Sequence, residues 1–144
     1  MDSASQRAPL APKPDSLGLK FTQDYKPGVY DDKHQWMGGT EVMSIVAHEG
    51  RLFAGISYWA DDKPGADPKP GAQVLRKDTA SAPWRVDVNF GKQYMRVEGL
   101  VAVTLSTDCA GSHLGAPVKA LVASPYNFQD KEESRTEAWV RDDR

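Results

Sequence analysis

Val74-Leu75-Arg76-Lys77-Asp78 returns 65 positions later (74 to 139) as Trp139-Val140-Arg141-Asp142-Asp143. Each copy carries an apolar pair, an arginine and a closing acid. Upstream of each lies a pair of apolar stretches spaced like a hairpin. The first pair is Val42 to His48 followed by Arg51 to Trp59; the second is Leu100 to Ser106 followed by Val118 to Ser124. One unit is therefore written twice, and the second writing lacks the text that follows the first.

Read in order, the first unit predicts four strands. Val42 to Ala47 is a short continuous apolar run of the kind a fully buried strand shows. His48-Glu49-Gly50 is a turn, and Arg51 to Trp59 is the partner strand, where Gly55 permits close approach of a neighbour. Asp61 to Pro70 holds three prolines and three aspartates and reads as an exposed loop. Ala72 to Lys77 and Trp84 to Asn89 form a second hairpin. Its last strand, Arg85-Val86-Asp87-Val88-Asn89, alternates with period two, so one face is expected to meet water. The second unit runs Val97 to Leu105, Val118 to Ser124 and Thr136 to Arg141, joined by polar loops at Thr107 to Pro117 and Pro125 to Arg135. No stretch carries an amphipathic helical period.

An all-β chain of antiparallel four-stranded units that recur at this spacing predicts propeller-like blades, since one such sheet cannot bury both its faces alone. One blade (about 42–90) is complete and one (about 97–144) incomplete. A small β-sandwich or jelly roll is the alternative. Residues 1–17, rich in Ser, Ala and Pro, read as a flexible tail, and 18–41 as a lead-in segment. The text Leu75-Arg76-Lys77-Asp78 with Trp84 after its turn, and Trp139-Val140-Arg141-Asp142-Asp143, resembles the outer hairpin of sialidase-like and related β-propeller repeats. Ser106-Thr107-Asp108-Cys109-Ala110-Gly111 resembles their Asp-box, although one extra residue precedes the glycine and no tryptophan follows. The resemblance implies a rigid bladed platform.

Composition narrows the partners. A net charge of −2 with scattered Lys and Arg gives no footprint for nucleic acid or for an anionic membrane. No apolar run approaches the roughly 18 residues that a bilayer span needs. The single Cys109 excludes an internal disulfide and a thiolate-rich metal site. Met1 to Pro14 lacks the apolar core of a signal peptide. A cytoplasmic protein and a mature secreted or periplasmic one both fit, and export is favoured.

Candidate site residues fall into three sets. His34, His48 and His113 sit in expected loops or at strand ends and are the candidate metal ligands, for copper or zinc, with acidic loops as an oxygen-rich alternative for calcium. No His-x-His or Glu-x-x-His spacing supports them. Trp36, Trp59 and Arg76 are candidate ligand-binding residues, because aromatic faces stack on sugars and a guanidinium grips a carboxylate. His34, Tyr58 and Arg51 are the candidate catalytic set for a lyase, which needs a base near an acidic C–H and a cation on the uronate carboxylate. No P-loop, nucleophile elbow or dinucleotide fingerprint is present.

Two functions follow from different classes. One is a non-catalytic propeller-type module, or a fragment of one, that recognises a polysaccharide or a protein partner through its loops. The other is a secreted carbohydrate-active enzyme, either a propeller lyase or hydrolase or a small metal-dependent β protein. An incomplete second blade also predicts either a homo-oligomer that completes a ring or a longer chain with further sequence after Arg144.

Overall fold

The computed structural model of the chain describes residues 18, 20–58, 71–127 and 137–141. Nine strands and no helix occur among them. They are β1 (Val29–Tyr30), β2 (Trp36–Met37), β3 (Glu41–His48), β4 (Arg51–Ser57), β5 (Gln73–Lys77), β6 (Arg85–Asn89), β7 (Tyr94–Thr107), β8 (His113–Asn127) and β9 (Trp139–Arg141). All pairings are antiparallel. β1 and β2 form a small separate ribbon. The other seven form one strongly curled, half-barrel sheet in the order β6-β5-β4-β7-β8-β9, with β3 also on β4.

Consecutive pairing runs from β3 through β6 and again from β7 through β9. The two meanders meet at a narrow seam. Ser57 pairs with Arg96, and backbone bonds run from Tyr58 N to Met95 O (2.8 Å) and from Ala72 N to Tyr94 O (2.7 Å). The β3–β4 connection is the tightest among the described residues. Glu49 and Gly50 both take positive φ, 47° and 73°, the two-residue turn whose twist matches that of its flanking strands. At the seam, Gly71 has φ +88° and a Cβ there would stand 1.9 Å from Gly91 O, so only glycine fits.

Two apolar clusters hold the sheet. Inside the curl lie Phe53, Val74, Phe90, Tyr94, Val97, Leu100, Leu121 and Ala123, drawn from both meanders. Gly55 makes room for this layer, since a Cβ there would be 3.0 Å from Val97 Cγ1 and 2.9 Å from Ser44 Oγ. On the far side of the first meander, Ala54, Ile56, Leu75, Trp84 and Val86 are covered by Met37 and Tyr25.

The lead-in segment is tied down by named polar contacts. Gln73, fully buried in β5, donates from Nε2 to Trp36 O (2.8 Å) and accepts from Gly38 N (3.2 Å). Its amide thus completes backbone bonds that no strand supplies. Asp31 accepts from Lys33 N and Gln35 N, which closes the β1–β2 turn, and from Val86 N, which pins that turn to β6. Asp24 accepts from Lys77 Nζ and Trp84 Nε1.

Three expectations from sequence change on folding. The run at β3 is not buried: Val42, Met43 and Ile45 are exposed, Ile45 at 60 %. β4 is its only strand partner among the described residues, and the clusters form on β4 and β5 instead. The loop expected at 107–117 is mostly strand, because β7 and β8 pair out to Thr107 and His113 and leave only a tight tip. In that tip Asp108 accepts from Ala110 N and Ser112 N at 2.9 and 2.8 Å, so the Asp-box-like text closes a hairpin turn with its carboxylate. Finally, β6 does not present a simple two-faced alternation. Pairing with β5 slips by one residue between Val74 and Leu75, opposite Asp87. The bulge puts Val86 in one cluster and Val88 against the other. Residues 1–17, the loop from Asp61 to Pro70, most of the loop from Pro125 to Arg135, and Asp142-Asp143 lie outside the described residues.

Candidate functional site

The candidate residues gather at two ends of the sheet. At one end the β1–β2 ribbon, the chain after it and the end of β4 form an aromatic face. Asp31 forces the turn, His34 takes φ 60° within it, and the imidazole lies flat on the Tyr30 ring, centroids 4.5 Å apart at 9°. Trp36 meets the same Tyr30 ring edge-on at 5.0 Å. Gly38 is enclosed by the next layer: a Cβ there would fall 1.5 Å from Tyr58 Oη and 3.0 Å from Trp36 Nε1. Tyr25 Oη donates to Gly38 O at 2.7 Å, and burial pushes the Tyr25 hydroxyl up to about 12. His34, Trp36 and Tyr58 are thus drawn into one neighbourhood. Tyr30, half exposed at 51 %, is its central ring.

Arg51 and Arg76 lie elsewhere. Arg51 opens β4, whereas Tyr58 follows its end, about 23 Å away at a strand rise of about 3.3 Å per residue. Arg51 Nε stands 3.4 Å from Asp78 Oδ1, an acid that Arg76 and Arg85 also engage. Arg76 Nη1 further reaches Asp87 Oδ1 at 2.8 Å, and Arg141 Nε reaches Asp87 Oδ2 at 2.8 Å. Arg76 and Arg141 are the matching residues of the two sequence copies, and they converge on one carboxylate. The guanidinium of Arg141 also lies 5.2 Å from the Phe53 ring centroid.

The three histidines are dispersed. His34 is exposed on Tyr30. His48 is buried at the end of β3 beside Phe53, ring centroids 6.1 Å apart. His113 is exposed at the tip of the β7–β8 arm. Lys119 of β8 pairs with Glu49 at 2.9 Å, which holds the Glu49 carboxyl below its ordinary value. His113 lies six residues (119 to 113) further along β8, about 20 Å at strand rise. Among the described residues no group of three or more His, Cys, Asp or Glu could hold a metal ion. Trp59 lies outside the described residues.

A cavity of about 320 Å³ opens between the β5–β6 and β8–β9 ends of the curl. Val74, Val88, Phe90, Leu121, Ala123 and Trp139 give it apolar walls, with Asp87 and Arg141 at one side. Trp139 is fixed over it by an edge contact to Phe90 (5.4 Å) and by donation from its Nε1 to Glu137 (3.0 Å). Sequence reasoning missed both Tyr30 and this cavity. Tyr30 had the same signal as Trp36, an aromatic beside a turn. The cavity depends on long-range curl that no local pattern carries. No family model, curated protein or solved structure matches the chain.

Proposed function

We propose that the chain is a non-catalytic binding module of β-propeller type, built from one complete and one incomplete blade, which recognises a glycan through the aromatic face at Tyr30, His34 and Trp36. The observation that carries this reading is the exposed Tyr30 ring, buttressed by His34 beneath and Trp36 at its edge. Rings held by packing lose little freedom on binding, and a flat apolar face beside polar tips suits the C–H face of a sugar. The repeated text supports the bladed architecture: it falls on the third strand of each meander, Arg76 in β5 and Arg141 in β9.

A non-catalytic role is favoured because the expected lyase set does not converge. His34 and Tyr58 share a neighbourhood, but the only arginine proposed to neutralise a uronate, Arg51, is at the far end of β4. The test is affinity electrophoresis on a neutral, an acidic and an amino polysaccharide, with product analysis of the same mixtures. Retardation by at least one, intact polymer, and a roughly tenfold weakening in Tyr30→Ala and in Trp36→Ala are expected. Retardation by none overturns the glycan reading, and release of reducing ends or unsaturated products overturns the non-catalytic one.

A further inference from the structure

The outer face of the second meander is a continuous apolar surface. By register, Val101, Val122 and Val140 form one row across β7, β8 and β9, followed by the rows Val103–Ala120 and Leu105–Val118. Leu100, Ala102, Leu121 and Ala123 alternate with them and point into the cluster inside the curl. No charged side chain interrupts the outer rows, since Lys119 pairs with Thr104 on the inner side. Val101, Leu105 and Val118 are each 51 % exposed. The first meander carries a matching row, Ile45–Ala54–Leu75. There Ala54 and Leu75 are buried in the cluster that Tyr25 and Met37 of the lead-in segment cover. The stretch before β7, residues 90–93, is too short to cover the second meander in the same way.

We propose that a second copy of this chain covers the face, outer sheet against outer sheet about a two-fold axis. Contiguous exposed apolar patches mark contact surfaces, and sheets pack face to face through such rows. Charge selects the occupant. With no ion on either side, the face is its own complement, and joining two of them desolvates no charge. The chain's own segments 59–70, 128–136 and 142–144 hold at most one large apolar residue each, Trp59 and Phe128, among charges and prolines, so they supply no matching layer. The rows span about 10 Å across the strands and about 13 Å along β7, well under the roughly 800 Å² per partner of a standard interface. The dimer is therefore weak and reversible, with a dissociation constant on the order of 0.1 mM. An isologous contact closes at two copies and builds no ring. The inference rests on this face and not on the glycan reading, so either can fail alone.

The test is sedimentation velocity of the full chain from micromolar to millimolar concentration. The mass is expected to rise from 15.8 kDa toward twice that value. Val101→Glu and Leu105→Lys, both at exposed positions, should each weaken the dimer at least tenfold, and an equal mixture of the two should restore it. Phe21→Glu, on the exposed lead-in, should leave it unchanged. If a variant does not fold, a mixture of isotope-labelled and unlabelled wild type decides: methyl contacts between copies are expected at Val101, Leu105 and Val118. A chain monomeric at every concentration, a dimer that survives both face substitutions, or one abolished by Phe21→Glu would overturn the proposal. So would contacts at these methyl groups from within one copy only, which would make the chain's own segments the cover.

Discussion

The carboxylate of Asp31 accepts from three backbone N–H groups, two in its own turn and one in β6, 55 residues away. Losing the acceptor leaves the buried Val86 N–H without its partner, at about 1–3 kcal/mol where water cannot replace it, and frees the two part-buried donors of the turn. Asp31→Ala is therefore expected to destabilise the chain by roughly 3 kcal/mol in urea unfolding, and to release the Tyr30–His34 stack with it. Gln73→Leu removes the amide that serves Trp36 O and Gly38 N, and is expected to cost about 2 kcal/mol. Asp24 gives a pH signature. Hydrogen bonds from Lys77 and Trp84, the larger from Lys77, hold its pKa below the ordinary 3.8. A depressed carboxylate stabilises the fold fully above its unfolded value and loses that contribution as pH falls through the folded one. The stability difference between wild type and Asp24→Asn should be constant above about pH 4 and shrink below it. The effect is small, because the Asp24 side chain is 54 % exposed.

Strand identity was legible in the sequence wherever the pattern is local. The turn at Glu49-Gly50, the strands at β4, β5 and β6, and the second unit's strands follow from apolar runs and breakers. Burial was not legible to the same degree. Val42 to Ala47 has the text of a buried strand, yet its exposure is set by what lies against β3, which is a long-range matter. The bulge at Asp87 was also invisible, since Arg85 to Asn89 alternates cleanly until β5 imposes its own register. That bulge aims Asp87 at both Arg76 and Arg141. Of the candidate site residues, His34, Trp36 and Tyr58 share a neighbourhood because the Asp31 turn and Gly38 bring them there. Arg51 was separable from Tyr58 on strand length alone. At this scale Gly71→Ala is the informative change. Positive φ and a Cβ 1.9 Å from Gly91 O leave no relaxed solution. Differential scanning calorimetry should show a loss of at least about 2 kcal/mol.

Across the whole molecule, the two meanders are joined by the seam at Ser57–Arg96, the cluster inside the curl, and the Arg76–Asp87–Arg141 group. Asp87 is 10 % exposed on its side chain, so removing it leaves two shielded guanidiniums close together. Asp87→Ala is expected to cost roughly 3 kcal/mol, more than Arg141→Ala, which still leaves Asp87 its Arg76 partner. The central claim is that the chain repeats one antiparallel unit, and that the two copies face each other across a cavity without closing into a barrel. The direct measurement is a nuclear Overhauser map of the full chain. The account predicts side-chain contacts from Phe90 to Trp139 and from Phe53 to Arg141, with no backbone contacts between β6 and β9. Hα–Hα contacts that join β6 to β9 as neighbouring strands, or absence of the Phe90–Trp139 contact, would contradict it.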